Sequence, residues 1–344
     1  MRTQERGREP LLGDGQRRPL QGRSLKNLHD IPKFSDRWSH LYLEMGKVDK
    51  DADGLNFSDK TGAVALPIDQ ISLVMLGPGT SITQAAVKAL AENNCLVSWV
   101  GQEGVRMYAH STGGTYSSRR LLVQARLASD ENSRREVARR MYEMRFDEKP
   151  PKSKTMEQLR GMEGLRVRAA YEAASARYGV KWSGRFYNQD NWDDADPLNK
   201  ALSCANACLY GVCHAGIVTA GYSAALGFVH TGKMLSFVYD VADFYKTLIT
   251  VPIAFMTAAQ DPPDLEHRVR TACRDVFHEA KLTTKILPDI AEALGVGDDS
   301  GEDPSELEGR AVSLALGAED GSVRGEPECT SPREAVGEGS DQEG

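Results

Sequence analysis

The sequence lacks a long hydrophobic run. Its most apolar stretches, near 215–229 and 248–259, are broken by glycine, serine and proline and fall short of the roughly 18–20 residues a membrane span needs. The apolar centre of a signal peptide is missing too, because residues 1–35 are polar and Arg-rich. A cytoplasmic chain with no membrane span is therefore expected. Cysteine is scarce, six in 344 residues, and no CxxC pair occurs. That argues against a structural zinc site and against a disulfide framework. Cys204 and Cys208, four apart, are expected as small core residues on one helix face.

A strong basic excess, the usual mark of a nucleic-acid binder, is also lacking: the net charge is −7. The mean hides an uneven distribution. Residues 296–344 hold 14 acidic and 3 basic side chains, a net of −11, which leaves +4 on the rest of the chain. Residues 1–36 carry 8 basic against 5 acidic groups. Distribution, not the total, bears on partners.

What is present divides the chain into four. Residues 1–30, rich in Arg, Gly, Pro and Gln, read as a disordered leader. Residues 31–112 read as a small N-terminal β domain, with strand-like runs at Leu41–Leu43, Ala63–Leu66, Ile71–Leu76, Cys95–Val100 and Val105–Ala109 separated by Gly and Asp turns. One helix interrupts them, with Ser81 as its expected cap. Residues 113–295 show helical spacing, as in Leu121, Leu122, Ala125 and Ala128, and read as an all-α second domain with a loop at 181–197. Residues 296–344, acidic and without aromatics, read as a disordered tail. The expected fold is α+β: a β-rich domain first, helices after, with disordered extensions at both ends.

Three helical-domain segments carry candidate chemistry. Glu163 lies between Gly161 and Gly164, which are expected to let the backbone approach a neighbour closely. His230 lies in Gly227–Lys233. Asp240 and Asp243 are i and i+3, so on a helix they share one face. Carboxylates with an imidazole suit Mg²⁺ or Mn²⁺, and such an ion polarises a phosphodiester. Spacing alone equally fits a solvated face for the two acids, a structural histidine and a capping glutamate. Asp240 is the exception: it follows Phe237, Val238 and Tyr239, and a carboxylate buried among them needs a partner.

Gly227 to Lys233 also fits GxxxxGK, the start of a phosphate-binding loop, but Met234 stands where that motif requires Ser or Thr. Strands before helices also oppose an alternating nucleotide-binding fold. Basic residues cluster around the acids: Arg119, Arg120, Arg126, Arg134, Arg135, Arg139, Arg140 and Arg145 before them, Arg160, Arg166 and Arg168 beside Glu163, then Lys233, Lys246, His267, Arg268, Arg270 and Arg274. Each fits a solvated helix face; together they fit a polyanion led past a metal, with salt-sensitive binding. Tyr187, Tyr210 and Tyr239 fit either core aromatics or stacking platforms for bases.

The segments Asp59–Gly62, Pro78–Thr80, Trp99–Tyr108, Gln158–Arg168, Leu209–Val212, Gly227–Lys233, Tyr239–Asp243 and Cys273–Asp275, in this order and spacing, resemble the CRISPR-associated integrases of spacer acquisition, subtype I-E. The resemblance covers about 30–295. It implies a homodimer acting on double-stranded DNA, with a small ferredoxin-like companion subunit. It implies a Mg²⁺ or Mn²⁺ site on Glu163, His230 and Asp243, with Asp240 beside it in the catalytic set. The implied reaction is transesterification: the 3′-hydroxyl of a DNA fragment attacks a phosphodiester of a repeat, and hydrolysis is the side or reverse activity. Tyr187, Tyr210, Lys233 and Tyr239 match a pocket for the adjacent-motif bases, and Lys246 and Arg270 match backbone contacts. Arg106 and Arg274 lie within matching stretches and are added to the expected DNA contacts. Met45 stands where the family often has an aromatic wedge, with Tyr42 nearby. A stand-alone metal-dependent nuclease for branched or single-stranded DNA and a non-catalytic DNA-binding scaffold are the competing readings.

Overall fold

The computed structural model describes residues 34–51, 54–104, 106–111, 117–184 and 196–296. The leader, Tyr187 and the acidic tail lie outside the described residues. The strands are β1 (Leu41–Leu43), β2 (Lys47–Asp51), β3 (Gly54–Asp59), β4 (Gly62–Leu66), β5 (Leu73–Leu76), β6 (Ser81–Ile82), β7 (Leu96–Val100) and β8 (Met107–His110). Helix α1 (Gln84–Glu92) falls among them. They make two four-stranded sheets, ordered β1-β5-β7-β8 and β4-β3-β2-β6. In the first, β1, β5 and β7 are parallel and β8 is antiparallel to β7. In the second, β2, β3 and β4 form an antiparallel meander and β6 runs parallel to β2.

The helices are α2 (Arg119–Ser129), α3 (Glu131–Glu143), α4 (Met156–Tyr178), α5 (Pro197–Thr219), α6 (Ser236–Ala242), α7 (Val251–Ala258), α8 (Leu265–Glu279) and α9 (Leu282–Leu294). Local chemistry sets their ends. A reciprocal capping box of Thr155 and Gln158 starts α4, and Gly179 at φ 69° ends it. Asp196 accepts from the Asn199 N–H to cap α5, with Pro197 in its first turn. Helix α5 is long and apolar enough to cross a membrane, but it forms the centre of the protein core and is mostly buried there. Cys204 and Cys208 are buried on it, as expected.

Two cores meet at the first sheet. In β5, Leu73 and Met75 join the helical core, while Val74 and Leu76 join the core between the sheets. In β7, Leu96 and Val100 go one way and Val97 the other. A strand buried on both faces reads as an unbroken apolar run with side chains alternating between faces. Gly211 of α5 makes the contact close, since a Cβ there would stand 2.7 Å from Leu73 Cδ2.

Three expectations are corrected. Ser81 does not cap α1: its backbone pairs with Gly46 in a strand, and Thr83 accepts the Ala86 N–H instead. The helical pattern through Ala215–Ala225 is cut short, because Gly221 turns left-handed at φ 83° and the chain runs as an irregular loop to Leu235. Gly161 and Gly164 bring nothing close; a Cβ at either would meet no atom within 4 Å.

Candidate active site

The loop between α5 and α6 is tied down by two buried polar side chains. Gln124 of α2 donates to the carbonyls of Ser223 and Leu226 and accepts from the Ser223 N–H. Asp240 of α6, 0% exposed, accepts the N–H groups of Phe228 (2.6 Å), Val229 (3.1 Å) and His230 (2.8 Å). Its Oδ1 also lies 2.7 Å from His230 Nδ1. Gly227 is required at the bend, because a Cβ there would stand 2.2 Å from the His230 carbonyl oxygen.

The carboxylate oxygen at Nδ1 is an acceptor suited to an Nδ1 proton, which leaves Nε2 as the ring nitrogen that faces outward. That Nε2 lies 3.9 Å from Asp243 Oδ2. The two aspartates therefore differ in role. Asp240 is filled by four donors and positions the histidine; Asp243, at the C-terminal end of α6, faces the open site.

Glu163 arrives from the middle of α4. The Arg166 fork holds both its oxygens at 2.9 Å, and Arg166 Nη1 also donates to Thr247 Oγ1. Arg145, just beyond α3, reaches inward to both acids: its Nη1 is 3.3 Å from Asp243 Oδ2 and 3.7 Å from Glu163 Oε1. Lys246 Nζ sits 2.6 Å from Asp243 Oδ1, in a π-helical turn, Lys246–Thr250, that leads into α7. Burial pushes the Asp243 carboxyl up, but Lys246 and Arg145 more than offset it and hold it below the usual range. Burial lowers Lys246 and the Asp243 charge raises it further, so it stays cationic. The hydrogen bond to Glu163 likewise raises Arg166.

Two carboxylates, Glu163 and Asp243, thus face three cations. The donor types, an imidazole nitrogen and carboxylate oxygens, fit a hard divalent cation such as Mg²⁺ or Mn²⁺. As they stand, no three His, Cys, Asp or Glu side chains among the described residues converge tightly enough to hold one. Glu163 is turned onto Arg166, and Asp243 is engaged by Lys246 and Arg145.

The other expected contacts divide. Tyr210 and Tyr239 meet edge to face at 5.1 Å and line a cavity of about 380 Å³ with Arg106, Ser98 and His214. This cavity adjoins the acids, since Tyr239 contacts the His230 ring and Lys246 Nζ lies 4.9 Å over Tyr210. Lys233 is exposed on the loop, and Arg274 is partly exposed beside Asp275. Arg270 is turned inward: 8% exposed, it pairs with Glu103 and stacks 4.3 Å over Tyr42. As placed, its guanidinium is engaged by Glu103, and Lys246 is engaged by Asp243. Arg120, Arg139 and Arg140, each read from sequence as fitting a solvated helix face, donate to main-chain carbonyls of Ala220, Lys154 and Ala293–Leu294. Met45 is exposed, whereas Tyr42 is held under Arg270. Sequence reasoning missed Gln124, Thr247 and the inward role of Arg145; Arg145 follows Met141, Tyr142 and Met144, an apolar setting that was its one signal.

Two small sheets leading into a helical core make a fold known from solved structures. The TtCas1–DNA complex is 46% identical with a TM-score of 0.69, covering 74% of this chain and 91% of that one. A casposase bound to integration product shares the fold at 14% identity and a TM-score of 0.53, covering 82% of this chain and 92% of that one. The family model described as CRISPR associated protein Cas1 matches residues 41–149 and 144–261. The chain belongs to the Cas1 family. Curated relatives named CRISPR-associated endonuclease Cas1 include one from Thermus thermophilus, 46% identical over 82% of this chain and 87% of its own. Another, from Escherichia coli, is 44% identical over 79% of this chain and 89% of its own.

Proposed function

We propose that this chain is a metal-dependent DNA integrase of CRISPR adaptation, of the I-E kind, working in the cytoplasm as a homodimer with a small ferredoxin-like companion subunit. The observation that carries the reading is the histidine held by Asp240 with its Nε2 directed at Asp243, beside Glu163. The name of the 46% identical relative solved with DNA supports the choice of substrate.

Glu163, His230 and Asp243 would hold Mg²⁺ or Mn²⁺, which supplies charge stabilisation at the target phosphodiester. The chain's own residues do the rest. Asp240 fixes the ring of His230 and the loop that bears it. Tyr210 and Tyr239 offer aromatic edges and faces to bases at the cavity mouth. Arg106, which lines the cavity, and Lys233 and Arg274 would supply cations to the phosphate backbone. The 3′-hydroxyl of the fragment attacks phosphorus, the repeat's own 3′-oxygen leaves, and one phosphodiester replaces another, so no ATP is required.

The test is half-site integration of a labelled forked fragment into a repeat-bearing plasmid with Mg²⁺, Mn²⁺ or EDTA, with and without the companion. Metal-dependent joining that needs the companion is the expected result. Cleavage without joining, companion or not, would assign a stand-alone nuclease; DNA binding with neither would assign a scaffold.

A further inference from the structure

We infer that Arg145 is the resident counter-ion of the metal centre: it holds Glu163 and Asp243 together in the metal-free protein, stays in place when a divalent cation binds, and weakens that binding. The inference rests on the metal-dependent reading above.

Three cations face the acids, and they differ in freedom. The Arg166 and Lys246 side chains are each about a quarter exposed and can swing towards solvent. The Arg145 side chain is 2% exposed and is packed against the rings of Tyr142 and Phe244. It cannot leave. Its Nη2 is also within 3.4 Å of the Asp240 carbonyl, which ties it to the helix that aims His230.

The contacts of Arg145 are loose. Its distances of 3.3 and 3.7 Å to the two carboxylates exceed the roughly 2.7–2.9 Å of a charge-assisted hydrogen bond. Its Nε is buried without a hydrogen-bond partner. A side chain kept for packing or pairing alone would settle closer to one acid. Shared between two acids from α4 and α6, it instead spaces them, and the Arg166 fork keeps Glu163 turned aside. A permanent positive charge beside a bound divalent ion opposes it strongly enough to lower affinity at least about tenfold, even in a well-screened site.

The experiment is calorimetric titration with Mn²⁺ alone, and thermal unfolding with and without Mn²⁺, on the full chain. Wild type, Arg145→Met, Arg145→Lys and Asp243→Ala are compared. Arg145→Met is expected to melt earlier than wild type without metal, to bind Mn²⁺ about tenfold tighter, and to gain more melting temperature from it. Arg145→Lys, keeping the charge, should bind as wild type does, and Asp243→Ala should lose binding. If Arg145→Met binds no tighter while Asp243→Ala loses binding, the metal reading stands and the counter-ion role is overturned. If Asp243→Ala binds as wild type does, the metal reading falls and the role of Arg145 with it. Should Arg145→Met not fold in metal-free buffer, refolding with Mn²⁺ decides: recovery supports the role, and no recovery overturns it.

Discussion

Arg270 and Arg145 are both buried against carboxylates, and their two networks are built differently. Arg270 meets one partner, Glu103, in a tight pair, stacks on Tyr42, and joins α8 to the turn after β7. It is a closed pair of one cation and one anion. Arg145 meets two partners at longer range, and a histidine nitrogen stands 3.9 Å from one of them. It is an open network with two acids, three cations and an outward imidazole. A closed pair fastens two parts of a fold; an open one leaves a place for another charge.

The sharpest way to break the comparison is Asp243→Ala. Removing the acid that faces both His230 and Arg145 should cut integration at least about a thousandfold, roughly 4 kcal/mol of barrier, in the half-site assay. Persisting activity would mean that the open network is not where the chemistry occurs. Next comes Glu103→Ala, which strands a buried guanidinium. It should cost about 3 kcal/mol in a urea melt while folded protein still integrates at low temperature. Loss of integration with unchanged stability would make the closed pair a working one.

A smaller effect reads the closed side through pH. Burial, helped by Arg274 and Arg270, pushes His40 down to about 4. The unfolded chain takes up this proton near pH 6.5 and the folded chain only near 4, so His40 contributes fully above about 6.5 and its contribution is lost as pH falls towards 4. By pH 5 the loss should be about 2 kcal/mol, and His40→Asn should flatten that part of the melting-temperature profile. An unchanged profile would show that His40 is not the group titrating. Smallest is Thr247→Val, which removes one hydrogen bond to Arg166. At about 1 kcal/mol it should lower integration no more than about fivefold; a collapse as deep as that of Asp243→Ala would show that the outer cations are as critical as the inner acids.

Much of this was legible in the sequence, and the rest was hidden for physical reasons. The run Ile71–Leu76 announced a strand, though not that both of its faces would be buried. Asp240, set among apolar residues, announced a buried carboxylate in need of partners, though not that its partners were three main-chain N–H groups and a ring nitrogen ten residues earlier. The fates of the arginines were not legible. Arg270 turns inward because Glu103 waits 167 positions away, and Arg140 turns to the end of α9 across 153; a long cation looks the same in sequence whether it meets solvent, a carbonyl or a carboxylate. The small residues of 215–225 carry helical spacing past the point where Gly221 ends the helix, so the loop that bears His230 was read as its continuation.

The dependence of His230 on Asp240 has a consequence for synthesis. The histidine leaves the ribosome before the carboxylate that aims it, and Asp243 and Lys246 come later still. A nascent chain halted inside the loop carries the imidazole and Glu163 but has nothing to orient the ring and no second acid to face it. The arrangement is therefore complete only once the chain has been made through Lys246 and the loop has closed on Asp240.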